Sequence, residues 1–216
     1  MATAQRLTRP QHGGPPIPVR PLPEAPPMFL HDPAVRAAFP HLHVGLLLLR
    51  RAHRLTLASL ATGEVPACGS DHPVARLCGS IAAEAGLPAA AFDLDRIDGT
   101  LEVRLATGHE RFDAIDRTLS RPQPGEVIFA DCAGRLHARD WVRLRSPRSV
   151  LSGPSRTVLV VAQDIRPGAG PTVRAFLDRL AAPLQAAGGA VEMLDLDFPR
   201  PGRTRATASS AQDARS

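Results

Sequence analysis

The most specific stretch of this chain reads AFDLDRIDG, from Ala91 to Gly99. Apolar and acidic residues alternate along its first half, a pattern typical of a β-strand with one buried face. The alternation places Asp93 and Asp95 on one face of that strand, opposite Phe92. The Asp-Gly pair at the end precedes β-prone residues, which predicts a tight hairpin. We therefore expect two paired strands, over 90–95 and 100–106.

Three helices are expected outside this stretch, two before it and one after it. An Asp-Pro pair, a good N-cap followed by a first-turn proline, predicts a short helix over 32–39. Apolar residues at helical spacing predict a second helix over 72–85, ended by Gly86. A third is expected over 170–187, where Pro183 should kink the helix or end it early.

Apolar runs predict the remaining strands. Two of these runs flank the turn 131–134, which predicts a second hairpin. A strand, a helix and a strand close the ordered sequence. The pattern indicates an α+β fold, a mixed β-sheet with β-hairpins and flanking helices. The runs cover residues 43–50, 54–60, 126–130, 135–144, 158–161 and 190–196.

Both ends of the chain differ in composition from its middle. Residues 1–27 contain eight prolines and no periodic hydrophobicity, so we expect a disordered Pro-rich leader. Residues 199–216 are Arg, Ser, Ala and Thr without pattern, which predicts a disordered basic tail. The segment 28–198 between them is expected to form one domain.

The positive charge of the chain lies mostly at its ends. The formal net charge is +5, of which residues 1–27 supply +2 and residues 198–216 supply +3. Net charge is therefore no argument for nucleic-acid binding. Within the middle, an acidic segment over 90–116 precedes a basic one over 135–156, which has six arginines and one acid. The two segments either neutralise each other across a sheet, or the basic one binds an anionic ligand.

Several classes of site are not expected. The three cysteines are widely spaced without a CxxC pair, which favours reduced thiols over a disulfide framework or a zinc site. The sequence has no phosphate-binding loop, dinucleotide motif, HExxH or GxSxG. No apolar run approaches the roughly 20 residues that span a bilayer, and the start of the chain does not resemble a secretory signal. We expect a cytoplasmic protein without a metal or another cofactor.

The two acids of the opening stretch have two interpretations. Neighbouring carboxylates can orient a water molecule or share a proton, which is the chemistry of a hydrolytic site. Asp93 and Asp95 can equally pair with Arg96 and the later arginines, which is a structural role.

Several short motifs, taken in their order along the chain, resemble those of a known family. The chain is similar to free-standing relatives of the B3/B4 editing domain in the β subunit of bacterial phenylalanyl-tRNA synthetase. The similarity covers roughly residues 70–165. It is carried, in this order, by GLP at 86–88, AFDLDRIDG at 91–99, PGEVIFAD at 124–131, Arg139 and Trp141 on one strand, and TVLVV at 157–161.

This resemblance implies a B3/B4-like fold and a trans-acting hydrolase of mischarged aminoacyl-tRNA, which breaks an activated ester. It implies tRNA, held by its aminoacylated 3′ end, as a partner, and a tRNA synthetase as another; neither DNA nor a membrane is expected. Asp93, Asp95 and Arg96 would line the catalytic pocket. RNA would be bound by Arg139, Trp141, Arg143 and Arg145, although a tryptophan on a strand can also be a core residue. A non-catalytic module that binds RNA or a synthetase is the alternative, and a small-molecule sensor is a third possibility.

Overall fold

The computed structural model of the chain describes residues 28–56 and 70–194. Three helices and eleven strands lie in these ranges. The helices are α1 (Pro33–Ala38), α2 (Pro73–Ala85) and α3 (Gly170–Ala186). The strands are β1 (Phe29–His31), β2 (His43–Arg50), β3 (Ala89–Asp93), β4 (Leu101–Leu105), β5 (Phe112–Asp113), β6 (Leu119–Ser120), β7 (Val127–Ala130), β8 (Leu136–Arg139), β9 (Leu144–Arg145), β10 (Thr157–Asp164) and β11 (Ala190–Leu194).

The first sheet has four antiparallel strands in the order β11-β2-β10-β3. Strand β10 lies inside this sheet, and its residues from Val158 to Asp164 are all buried. A continuous apolar run suits such a strand because both of its faces are covered. Helices α2 and α3 pack on one face through an apolar cluster that includes Val160, Leu77 and Leu180. The other face is left for the second sheet.

The second sheet has five strands in the order β1-β4-β7-β8-β9, and β1 pairs with β4 in parallel. Its inner face meets the first sheet. Phe92 of β3 and Phe129 of β7 stack there, with ring centroids 5.4 Å apart and both side chains fully buried. Burial of each ring contributes about 1.5–3 kcal/mol. The architecture is α+β, as the sequence predicts.

The predicted hairpin over 90–106 is wrong. Strands β3 and β4 belong to different sheets, and the chain between them leaves β3 through a 3₁₀ turn at Leu94–Arg96. The turn forms because the Asp93 side chain accepts a hydrogen bond from the Asp95 N–H. At the Asp-Gly pair, the Asp98 carbonyl accepts from the Cys132 N–H instead of closing a hairpin. Because Asp95 is in the turn, it does not continue the strand face of Asp93.

The other predicted elements agree with the structure in part. All three helices form, and the second hairpin is confirmed by the antiparallel pairing of β7 with β8. The strand predicted over 135–144 is broken at Asp140 and Trp141, which both have positive φ. Pro183 lies inside α3 but does not end it at that point, since the helix continues to Ala186. Residues 54–56 are not a strand, and 57–60 lie outside the described residues, as do the leader and the tail.

A candidate binding cleft between the two sheets

A cleft of about 450 Å³ opens at one end of the space between the sheets. Three chain segments line it: the turn after α2, the turn after β8, and the carboxyl end of β10. The first and third segments are tied together, because the Gln163 N–H donates to the Pro88 carbonyl at 3.0 Å. The lining consists of Gly86, Pro88, Asp140, Trp141, Arg143, Gln163, Asp164, Ile165 and Arg166.

The turn after β8 is held in a conformation that side chains rarely adopt. Asp140 has a φ of 46° and Trp141 a φ of 61°, and neither is glycine. Such residues cost on the order of 1 kcal/mol or more each, and persist only where the surroundings impose them. Glu126 imposes this turn by accepting the Asp140 N–H at 3.0 Å. A turn strained in this way at the mouth of a cleft is a common feature of binding sites.

Glu126 is itself fixed by Arg139. The guanidinium donates two hydrogen bonds of 2.7 Å to the carboxylate, and both side chains are more than four-fifths buried. Burial opposes ionisation of Glu126, but the bond from Arg139 and the backbone N–H groups of Gln123 and Asp140 outweigh it and lower its pKa. Arg139 therefore stabilises the turn indirectly, by fixing the carboxylate that binds the Asp140 N–H.

Trp141 and Arg143 present different chemistry to the cleft. The indole is partly buried, with its ring against the edge of Phe39 at a centroid distance of 5.1 Å. The Arg143 side chain is 77% exposed, and its ion pair with Asp140, at 3.8 Å, is long and open to solvent. Such a pair is worth little. Arg143 can therefore bind an anion at a small cost in free energy, because the ion pair that it gives up is weak.

The carboxyl end of β10 supplies a buried polar group and a buried charge. The Gln163 side chain is 1% exposed, and its Nε2 lies 2.8 Å from Nε2 of His31 on β1. Asp164 is ionised, because hydrogen bonds from the Arg166 guanidinium hold the pKa of its carboxyl below the usual value despite burial. His31 is neutral, since burial and the nearby Arg36 charge lower its pKa to about 3.

The predicted catalytic residues lie at the other end of the first sheet. Asp93 pairs in register with Val158, whereas the cleft begins at Gln163, five residues further along β10. At about 3.3 Å per residue, this separates them by roughly 16 Å. Asp93, Asp95 and Arg96, which the sequence predicts to be catalytic, therefore do not line the cleft.

These three residues hold the turn after β3 against the loop before β10. The Asp93 carboxylate accepts from the Ser155 hydroxyl at 2.6 Å, and the Asp95 carboxylate accepts from the Arg156 N–H at 3.1 Å. Arg96 donates to the Val150 carbonyl at 3.3 Å. Asp93 is buried, whereas Asp95 and Arg96 are exposed. Their contacts fit the structural interpretation of the acidic pair.

The predicted RNA-binding residues are divided by the structure. Trp141 and Arg143 line the cleft. Arg139 is occupied by Glu126, and Arg145 points inward, where its guanidinium lies 4.5 Å from the Phe92 ring centroid and donates to the Ala91 carbonyl. The acidic and basic segments are joined by the ion pair of Arg148 with Asp113, at 2.9 Å. Mutual neutralisation thus accounts for part of the basic segment. Of the arginines predicted to bind RNA, Arg143 is the one that remains available to bind an anion.

Sequence reasoning missed Gln163, Asp164 and Arg166. One signal was present, because a Gln-Asp pair follows directly on the apolar run of β10, and polar residues at the end of a buried strand often line a site. Nothing in the sequence indicated that this end of β10 faces the turn after β8.

The described residues offer neither a metal site nor a membrane-spanning helix. Over 28–56 and 70–194, no three His, Cys, Asp or Glu side chains are grouped in a way that would hold a metal ion. Within the same ranges, no helix is both long and apolar enough to cross a membrane.

Comparison with known proteins assigns the domain. A solved structure, an N-terminal fragment of the phenylalanyl-tRNA synthetase β-subunit from Pyrococcus horikoshii, superposes on 76% of this chain with a TM-score of 0.54 and 11% identity. The match spans half of that fragment, and at this identity it shows the fold alone. No curated protein matches the chain. The family model for the B3/4 domain matches residues 74–167, from α2 to just past β10, and so covers all nine residues of the cleft lining. The B3/4 domain is therefore matched by the central part of this chain, from residue 74 to residue 167.

Proposed function

We propose that the cleft binds the aminoacylated 3′ end of a tRNA. The observation that carries the proposal is the strained turn that presents Trp141 and Arg143 at the mouth of the cleft. The B3/4 domain adds support, since the fold recurs in a fragment of a tRNA synthetase subunit. A protein acting on charged tRNA would work in the cytoplasm.

The chemistry of the lining fits such a ligand. A volume of about 450 Å³ lies in the range of pockets that take small organic ligands, roughly 300–1,000 Å³. An indole can stack on a terminal base, a contact worth about 1–3 kcal/mol. A weakly paired guanidinium such as that of Arg143 can bind a backbone phosphate.

Hydrolysis of the aminoacyl ester is a second candidate function. The lining contains no Ser, Thr, Cys or His, so among the described residues of the cleft no side chain is suited to act as a nucleophile. An activated ester can still be cleaved by a water molecule that is well positioned. Asp140 is the carboxylate free enough to orient that water, because Asp164 is bonded to Arg166.

Binding is tested through the fluorescence of Trp141, the only tryptophan in a chain without tyrosine. The full chain is titrated with a tRNA acceptor-stem hairpin that carries a non-hydrolysable amide-linked amino acid. Arg143→Gln is expected to weaken binding about fivefold to tenfold and to reduce the salt dependence by about one counterion. Arg174→Gln on the exposed face of α3 serves as the matched control, without effect. Absence of binding, or equal loss in both variants, contradicts the proposal.

Hydrolysis is tested by deacylation of a panel of charged tRNAs, including phenylalanine tRNA charged with tyrosine. Loss of activity in Asp140→Asn but not in Asp95→Ala would support the cleft as the catalytic site. The reverse result would support the prediction from the sequence that Asp93, Asp95 and Arg96 are catalytic. If the wild-type chain hydrolyses no species, the protein is a binding module.

A further inference from the structure

The Gln163 side chain holds an acceptor for which the described residues offer no partner. Leu159 and Val161 of β10 pack between the sheets, and the alternation of the strand directs Gln163 to the same side. Its side chain contacts His31 of the opposite sheet and lines the cleft. The carbonyl oxygen Oε1 is buried and has no hydrogen-bond partner in the part of the chain that the structure describes.

The amide of Gln163 is placed with its nitrogen toward His31. His31 is neutral, because burial and the charge of Arg36 lower its pKa to about 3. With its proton on Nδ1, the neutral ring accepts at Nε2 a hydrogen bond from the Gln163 amide N–H at 2.8 Å. Since the amide nitrogen is held by His31, Oε1 is the atom left for a ligand. A buried acceptor without a partner is unfavourable, and a ligand that brings a donor removes that cost.

The charges around the cleft indicate which donor fits. Its lining carries two carboxylates, of Asp140 and Asp164, and two guanidiniums, of Arg143 and Arg166. This balance suits a ligand that carries both an anionic and a cationic group. A phosphate on one side and an ammonium group on the other satisfy it, and the ammonium group is also the donor that Oε1 lacks.

We propose that Gln163 is a specificity-determining residue that accepts a hydrogen bond from the free α-ammonium group of an aminoacyl ligand. This inference rests on the proposed function and narrows it: the ligand is an aminoacyl nucleotide with an unblocked amine. Ligands without that amine leave Oε1 unpaired and bind more weakly.

The test compares three probes by Trp141 fluorescence on the full chain. The first is 3′-deoxyadenosine with an amide-linked alanyl group at the 3′ position, the second is its propanoyl analogue, which lacks only the amine, and the third is AMP. The wild-type chain is expected to prefer the alanyl probe about tenfold, the effect of one hydrogen bond to a charged group. Gln163→Met, of similar volume but without the acceptor, should reduce this preference to less than about threefold. Gln185→Met, at an exposed position of α3, should keep it at the wild-type value.

The outcomes separate the two proposals. If the wild-type chain binds the alanyl and propanoyl probes equally, or if Gln163→Met keeps the preference, the inference is overturned while the cleft remains a nucleotide site. If neither AMP nor the aminoacyl probes bind, the proposed function fails and the inference fails with it. The wild-type comparison needs no variant, so it can overturn the inference even if Gln163→Met does not fold.

Discussion

The ion pair of Glu126 with Arg139 should determine whether the cleft turn keeps its shape. Two hydrogen bonds of 2.7 Å join the side chains, which are 15% and 12% exposed. A hydrogen bond to a charged group contributes about 1.5–3 kcal/mol in net terms. Arg139→Met keeps the aliphatic stem but removes both bonds, together with those that the guanidinium donates to the Ser120 hydroxyl and the Arg121 carbonyl. Glu126 is then buried with only backbone donors. We expect a loss of about 3 kcal/mol in the free energy of unfolding, or roughly 10 °C in Tm for a domain of this size.

The assay is urea unfolding of the wild-type chain, Arg139→Met, Glu126→Gln and the double variant. The two changes should not be additive, with a coupling energy of about 2 kcal/mol. The emission of native Trp141 should shift to the red in Arg139→Met, because Glu126, which imposes the positive φ of the turn, loses the side chain that fixes it. Arg174→Met, which breaks an exposed pair with Asp178, should cost less than about 0.5 kcal/mol. A coupling energy below about 0.5 kcal/mol, with unchanged emission, would refute the reasoning.

Three further predictions concern the scaffold. Burial opposes ionisation of Glu110, but its bonds to Arg104 and to the Thr107 N–H lower its pKa from about 4.5 to about 2. It therefore stabilises the fold above pH 4.5, and this contribution is lost as the pH falls toward 2; Glu110→Gln should flatten that part of a stability profile measured by denaturant unfolding. Asp93→Ala removes acceptors from Ser155 and the Asp95 N–H and should cost about 3 kcal/mol in the same assay; a loss below about 1 kcal/mol would argue against the structural interpretation. Gly99→Ala should destabilise by at least about 1 kcal/mol, since its φ is 71° and a Cβ there would lie 2.8 Å from the Cys132 sulfur; a calorimetric Tm equal to that of the wild type would contradict this.

Local sequence signals were sufficient to predict most of the helices and strands. The Asp-Pro cap of α1, the helical spacing and Gly86 terminus of α2, and the apolar run of β10 each act within a few residues. Such signals do not depend on distant contacts, so the sequence alone indicated them. The α+β class and the B3/4 resemblance followed from their order.

Pairing between strands was less accessible to sequence reasoning. The Asp-Gly pair at 98–99 indicated a hairpin because that dipeptide favours tight turns. In the structure the Asp98 carbonyl binds the Cys132 N–H, from a turn more than thirty residues away, and the chain crosses to the other sheet. A competing long-range bond of this kind leaves no mark on the local pattern.

In the candidate site, too, some features follow from the sequence and others only from long-range contacts. The sequence by itself determined that Trp141 and Arg143 are candidates for binding, through residue type and the family motif. Only the tertiary structure decided that Arg139 and Arg145 are occupied by internal partners, and that Gln163 lines the same cleft as Trp141. Residue type sets what a side chain can bind. Which partner it meets is decided by the packing of two sheets, whose contacts join residues far apart in the chain.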